Sequence, residues 1–312
     1  MKKYLITGCE GFVGSHLADL LVNKGTVYGM VYGETKLLKH LQNKIEIIPC
    51  DLKDKTQVRA IIEKTKPDVV IHLAAQSFVT VSWDQPEETL KTNVMGTFYL
   101  FDSIRQAKLN PVIEVVGSSS IYGPRTKEEM PMHEDAEFRP TSMYAMSKVS
   151  EDMLGYFYCK GYGMNVIRVR PFNMTGPRKL YDACSDFSRE VIEVEKGIKK
   201  VAEVGNLDTI RDFTDGRDAA NGLWLLSEKG VSGEIYNLCS GKGRMMKDIL
   251  TTLIRLSGKK MEYRIMPEKQ RPTDDPIYVG DNSKLLKLGW KLEIPVEKML
   301  GDMLDWWRKE LS

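Results

Sequence analysis

The 312-residue chain has no long hydrophobic run, and that absence sets the first boundary. No stretch approaches the roughly 20 apolar residues that a bilayer-spanning helix needs. The apolar run after Lys2 and Lys3 stops at Gly8, too soon for a secretory leader, so a cytoplasmic protein without a membrane partner is expected. Cysteine is scarce: Cys9, Cys50, Cys159, Cys184 and Cys239 lie far apart with no C-x-x-C pair, which excludes the spacing of a zinc site or a disulfide framework. Buried thiols are expected instead. The histidines, His16, His40, His72 and His133, are scattered, and none reads as a metal ligand. An excess of one charge is missing too. With 45 Lys and Arg against 43 Asp and Glu the net charge is +2, which gives no sequence-independent grip on nucleic acid. Internal repeats and low-complexity linkers are absent as well.

What is there is a rhythm. "YLITG" leads into a helical pattern from about Val13 to Asn23, "VYGMV" into "ETKLLKHLQN", "IEIIPC" into "KTQVRAIIEKT", and "DVVIHLAA" into a longer helix from about Glu87. "VIEVVGSSS", a helix from about Ser142, and "MNVIRVRPFN" follow. Short Val- and Ile-rich runs suit strands buried on both faces of a parallel sheet, with helices as right-handed crossovers. The expected class is α/β, a doubly wound parallel sheet of Rossmann type over residues 1–172. Beyond a soft boundary near 172 the rhythm weakens. Helices near 184–197, 215–228, 245–257 and 296–310 with short strands between them predict a smaller, mixed α/β substrate domain over 173–312, some segments of which return to the first. In the last of these helices Trp306 and Trp307 read as packing residues.

Gly8, Gly11 and Gly14 stand three apart between the first strand and the first helix. Glycine there permits a tight turn and lets backbone approach a pyrophosphate, whose charge faces the free N–H groups at a helix start. The spacing is G-x-x-G-x-x-G, not the G-x-G-x-x-G of the standard dinucleotide fingerprint. Asp51 and Leu52 at the end of the third strand suit an adenine, and Ala74 and Ala75 end the fourth strand where backbone must pass close to a ligand. At the tip of the second strand, Val31-Tyr32-Gly33-Glu34 offers neither the usual acid nor an arginine; the missing strand-tip acid leans to NADP over NAD.

"TSMYAMSKVSEDML" puts Tyr144 and Lys148 four apart, on one face of a helix. A phenol titrates near pH 10, so a proton shuttle working near neutrality needs about 4 kcal/mol of help. An ammonium about 4 Å away supplies a term of that order at an effective dielectric of about 20. Ser118, at the carboxyl end of a central strand, points its hydroxyl into the crevice where such sheets bind ligands.

Taken in order, Gly8-x-x-Gly11-x-x-Gly14, Asp51-Leu52, "HLAA", Asn93, "SSSIYG", Tyr144-x-x-x-Lys148 and "RPFNMTGPR" resemble the extended short-chain dehydrogenases that act on nucleotide sugars. The tail segments "VGNLDTIRDFTDGRDAA", "YNLCSGKG" and "RPTDDPIYVGDNSKLLKLGWK" most resemble GDP-mannose 4,6-dehydratases and GDP-4-keto-6-deoxymannose reductases. The resemblance implies that Tyr144 is the acid/base, that Lys148 holds the nicotinamide ribose and assists the tyrosine, and that Ser118 bonds the sugar C4 oxygen. It implies that Asn93 supports this geometry and that Pro171 meets the nicotinamide. Phe12 and Val13 join the glycines on the NAD(P) side. Gln76, Ser77, Ser119 and Ser120 fall on the sugar side, and Asn173, Arg211, Arg271 and Arg178 on the nucleotide diphosphate. A GDP-sugar substrate and a homodimer built through the helices of Asn93 and Tyr144 are further implications.

One departure bears on the reaction. The dehydratases of this family place a carboxylate where this chain has Ser120, and a threonine where it has Ser118. An unassisted hydroxyl is no base at neutral pH, so a 4-keto-sugar reductase or 4-dehydrogenase is expected ahead of a 4-epimerase or a GDP-mannose 4,6-dehydratase. Glu129 and Asp135 stand as substitute carboxylates for dehydration. A non-catalytic NAD(P)-binding sensor is the alternative of another class; it would be signalled by loss of Tyr144 or Lys148, and both are present.

Overall fold

The computed structural model describes residues 1–269 and 275–312; Arg271 lies outside the described residues. Strands β1 (Lys2–Thr7), β2 (Gly25–Val31), β3 (Glu46–Pro49), β4 (Val69–His72), β5 (Val112–Val116) and β6 (Val166–Pro171) pair in parallel. After β7 (Asn173–Thr175), β8 (Ala202–Val204) and β9 (Ile210–Asp215), the chain returns and β10 (Ile235–Leu238) joins the edge beside β6. Among the described residues this gives a seven-stranded sheet in the order β10-β6-β5-β4-β1-β2-β3. β4 and β6 are buried along their whole length; β4 is apolar from Val69 to Ile71, while β6 carries Arg168 and Arg170 among its apolar residues, both paired with the buried Asp152. The order reverses between β1 and β4, and there the carboxyl ends of the strands part to leave a crevice.

Helices cover both faces. α1 (Phe12–Leu21) and α8 (Gly216–Lys229) pack on one, with Leu17, Leu21, Leu223 and Leu226 in a common buried cluster. On the other lie α2 (Lys55–Thr65), α5 (Gly96–Gln106) and α6 (Met143–Tyr162), which bury Ile62, Leu100, Phe101 and Tyr158. Short helices α3 (Val79–Asp84) and α4 (Pro86–Leu90) lead into α5. The helix read in "ETKLLKHLQN" is a 3-10 segment, Lys36–Leu41. Leu38 and Leu41, three apart, bury together under β2, and residues at that spacing eclipse in a 3-10 turn, so a longer α-helix would bury nothing more.

The mixed region holds α7 (Ala183–Glu195), α9 (Met246–Ser257), α10 (Ser283–Lys287) and α11 (Val296–Glu310). α7, α9 and α11 close on Phe187, Leu250, Leu304 and the buried Trp307, with Trp306 packed at the margin. β9 is flanked by β7, β11 (Gly243–Met245) and β13 (Ile277–Tyr278), while β12 (Tyr263–Ile265) pairs with β8. Cys9, Cys50, Cys184 and Cys239 are buried thiols, and Cys159 is half-buried.

Candidate active site

The glycines divide their work. Gly8 leaves β1 at φ +66°, and a Cβ there would sit 2.9 Å from the Ala74 Cα. A Cβ on Gly14 would fall 2.3 Å from the Gly8 carbonyl oxygen, so α1 can approach the loop only without a side chain at that position. Gly11 bonds back to the Gly8 carbonyl at 3.1 Å and is the N-cap of α1 without a side-chain cap, so the helix N–H groups remain available to an anion. A side chain on Gly8 or Gly14 would collide with neighbouring backbone and displace the turn that forms the seat, and the residues present fit a dinucleotide.

From this loop a cleft of about 870 Å³ runs across the carboxyl edge of the sheet to α7 and β9. It is lined by Gly8, Gly11, Phe12, Val13, Gly14, Asp51, Leu52, Ala74, Ala75, Pro171, Tyr144 and Lys148, which are the residues assigned to the dinucleotide with the exception of Asn93. Ser77, Ser118, Asn173 and Arg211 line it further along.

Ser142 starts α6 by accepting from the Ala145 N–H at 3.1 Å, which brings Tyr144 into the first turn at the cleft wall. The Lys148 Nζ lies 5.9 Å from the Tyr144 ring centroid and donates to the Val116 carbonyl at 3.2 Å. It also pairs with Glu151 Oε2 at 2.9 Å, and both side chains are buried. Burial works against the ammonium, but Glu151 and then Tyr144 hold its pKa above the ordinary lysine value. Burial pushes the Glu151 carboxyl up to about 7 against the pull of Lys148, and its Oε1 has no partner among the described residues. Ser118 accepts from the Ser120 N–H at 3.1 Å, and its own O–H has no acceptor among the described residues. A ligand oxygen can take that proton.

Asn93 stands behind the cleft, in a π-helical turn (Lys91–Met95) between α4 and α5. Its Oδ1 accepts from the Gln76 N–H at 2.7 Å, and its Nδ2 donates to the Gln76 carbonyl at 3.1 Å and to Ser147 Oγ at 2.8 Å. Ser147 in turn donates to the Tyr144 carbonyl at 2.7 Å. The chain extends backward. Thr97 donates to the Asn93 carbonyl, so it must accept from His72 Nε2 at 2.8 Å; His72 Nδ1 then accepts from Thr7 Oγ1 at 2.7 Å, and Thr7 accepts from the Ala74 N–H at 3.1 Å. These bonds require neutral His72, and burial holds its pKa down to about 3. Strand β1 is thereby tied to the turn that carries Tyr144.

Several expected ligand contacts fall elsewhere. Gln76 stays out of the cleft because its amide is used on Thr89 and the Phe78 backbone. Ser119 is buried with its carbonyl bonded by the Tyr278 hydroxyl, and the Ser120 Oγ is buried outside the cleft with no partner among the described residues. Arg178, at φ +76°, turns to the outer side of α1, where it pairs with Asp19 at 2.8 Å. Arg211 and Asn173, by contrast, do line the cleft, where Arg211 reaches the Ile210 and Asp275 carbonyls at 2.9 and 2.6 Å and Asn173 the Asp212 carbonyl at 3.2 Å. Glu129 is occupied by Arg125, Arg139 and the Thr126 N–H, and neither it nor the exposed Asp135 lines the cleft. Sequence reasoning missed Glu10, His72, Ser147 and Glu151. Of these, Glu151 had a signal, three residues after Lys148 on the same helix.

Known proteins are similar to this chain along nearly its whole length. The family model described as GDP-mannose 4,6 dehydratase matches residues 5–303. The GDP-6-deoxy-D-mannose reductase of Pseudomonas aeruginosa is 27% identical, over 99% of this chain and 98% of its own length. The solved structure of RMD from Pseudomonas aeruginosa complexed with NADPH has a TM-score of 0.86 at 26% identity, covering 99% of this chain and 100% of that one. The UDP-glucose 4-epimerase of Thermus thermophilus in complex with NAD has a TM-score of 0.87 at 25% identity, covering 98% and 99%. Among the described residues no helix is long and apolar enough to cross a membrane.

Proposed function

The chain belongs to the GDP-mannose 4,6-dehydratase family, and on that premise we propose that it is a nicotinamide-dependent nucleotide-sugar oxidoreductase reducing a 4-keto sugar carried on GDP. The observation that carries the reading is the meeting of Tyr144, Lys148 and Ser118 with the glycine loop in one cleft. A bound dinucleotide, seated on Gly8, Gly11 and Gly14, would supply the hydride. Ser118 donates its free O–H to the C4 oxygen and orients the carbonyl. Tyr144 gives the proton that completes the alcohol, and the buried ammonium of Lys148 balances the phenolate left behind. In the oxidising direction the same phenol takes the C4 proton.

Reduction is preferred to dehydration because the Ser120 hydroxyl is buried outside the cleft, and Glu129 is committed to two arginines. Arg211 and Asn173 suit the diphosphate. Support for guanine comes from Asp186 on α7, a cleft carboxylate with no hydrogen bond among the described residues, whose pKa burial raises. A carboxylate accepts in parallel from the adjacent N1–H and N2–H donors of guanine, a pair that uracil lacks. A homodimer fits the exposed Met146, Met153 and Phe157 on α6 with Leu90 and Met95 beside them. Phe157→Glu should then yield monomers in light scattering.

The test is to incubate the purified protein with GDP-4-keto-6-deoxymannose, GDP-mannose and the UDP, CDP and dTDP analogues, with NADH or NADPH, and to weigh the products. A gain of two hydrogens on the keto sugar is expected. Loss of water from GDP-mannose, or an epimer of unchanged mass, would overturn the reductase reading. Tyr144→Phe should lower turnover by about a thousandfold or more while leaving dinucleotide affinity within about threefold.

A further inference from the structure

The glycine loop carries a carboxylate that the glycine pattern does not need. Glu10 stands between Gly8 and Gly11, lines the cleft, and reaches across to the end of β2. Its Oε1 accepts from the backbone N–H of Tyr32 at 2.8 Å and of Gly33 at 3.1 Å, the two residues that follow the strand. Its Oε2 is buried beside the cleft and has no hydrogen-bond partner among the described residues, so a donor reaches it only as a ligand seats against the loop. The side chain is therefore fixed in direction by two backbone donors and left with acceptor capacity on its second oxygen.

In doubly wound sheets the tip of this strand decides between the two dinucleotides: an acid accepts from the adenosine ribose hydroxyls, or an arginine accommodates the 2′-phosphate. Here the tip is Tyr32, which does neither, and the absent acid by itself leans to NADP. We infer that Glu10 replaces the missing strand-tip acid, accepting from the ribose hydroxyls from the loop side and making NAD(H) rather than NADP(H) the cofactor. This rests on the dinucleotide part of the reading above and adds a preference that the reading leaves open.

Two features carry the discrimination. A ribose hydroxyl is a donor that can meet the unpartnered oxygen, whereas a 2′-phosphate brings only acceptors and a charge of about −1.5 to −2 beside a carboxylate. Of the lysines at this end, Lys53 is already engaged, its Nζ bonded by Glu88 and 3.7 Å from Asp51, and Lys179 lies over the Phe12 ring at 5.3 Å, at the start of α1 and not at the end of β2. The arginines that line the cleft among the described residues, Arg189 and Arg211, belong to α7 and β9 at the far end.

The measurement is equilibrium binding of NADH and NADPH to the purified protein, by calorimetry or tryptophan fluorescence, with no sugar present. NADH should bind about tenfold or more tightly than NADPH. Glu10→Gln keeps the length and an acceptor oxygen for the two N–H groups, and should bring the two dissociation constants within about threefold, chiefly by improving NADPH. Glu10→Ala should do the same with some loss for NADH. NADPH binding as tightly as NADH to the unaltered protein overturns the inference and leaves the oxidoreductase reading standing. A preference for NADH that survives both substitutions removes Glu10 from its cause. Binding of neither dinucleotide overturns the inference and the reading together.

Discussion

The two ends of the cleft are suited to the same kind of ligand, an anionic nucleotide, with opposite materials. At the β1–α1 end the means are backbone: a left-handed glycine, an uncapped helix start, and an approach of Gly8 to Ala74 that leaves no room for a Cβ. At the α7–β9 end they are side chains: Arg211, Asn173, Asp186 and Arg189, brought together from separate elements. A backbone seat cannot be trimmed without moving the fold, while a side-chain seat can lose one member and keep its shape. The first should therefore fail all at once and the second by degrees.

The steepest failure expected is Gly14→Ala, whose methyl would collide with the Gly8 carbonyl and the Cys9 backbone. Dinucleotide affinity should fall about a hundredfold or more, with lowered thermal stability. Gly11→Ala, which meets only the Gly8 carbonyl at 3.2 Å, should be milder and keep the fold. At the other end Arg211→Ala should weaken GDP about 10- to 100-fold in a binding titration and leave dinucleotide affinity within about twofold. Equal damage to both ligands would erase the contrast between the ends.

Two buried carboxylates repeat the contrast between paired and unpaired charge. Glu151 is paired with Lys148 and pushed up to about 7, so it ionises as pH rises through neutrality and adds a negative charge behind the Tyr144–Lys148 pair. The kcat profile should carry an inflection near pH 7 that Glu151→Gln removes, with a change in maximal rate below about tenfold. Glu114, in the middle of β5, is fully buried with both oxygens unpartnered among the described residues, and burial raises its pKa well above the ordinary value. Its folded pKa exceeds the unfolded one, so it binds its proton more tightly when folded and costs stability increasingly as pH climbs above about 4.5. Glu114→Leu should stabilise the protein by about 1–3 kcal/mol at pH 8 and by less at pH 4, read from denaturant melts.

What was legible in the sequence follows the same division. The parallel sheet and the glycine turn could be read because each is written in local spacing: apolar runs of strand length, and glycines where a Cβ cannot fit. Tyr144 and Lys148 share a face because a step of four residues is just over one helical turn. The sugar side was read less well. Gln76 is taken from the cleft by nearby partners, Thr89 and the Phe78 backbone, and no spacing reveals that Arg178 would meet Asp19, far off in the chain. His72 looked isolated because its partners, Thr7 and Thr97, are 65 and 25 residues away, and only the folded sheet joins them. The overlong helix at "ETKLLKHLQN" was a period misjudged, with leucines three apart serving a tighter turn.

The run of bonds from Thr7 through His72, Thr97 and Asn93 to Ser147 has every proton pointing one way. Such an array has no mirror arrangement of equal energy, so it acts as a ratchet pawl: the strand and the start of the catalytic helix have a single relative setting. Acidification within any physiological range leaves the pawl engaged, because its one titratable member stays uncharged until about pH 3.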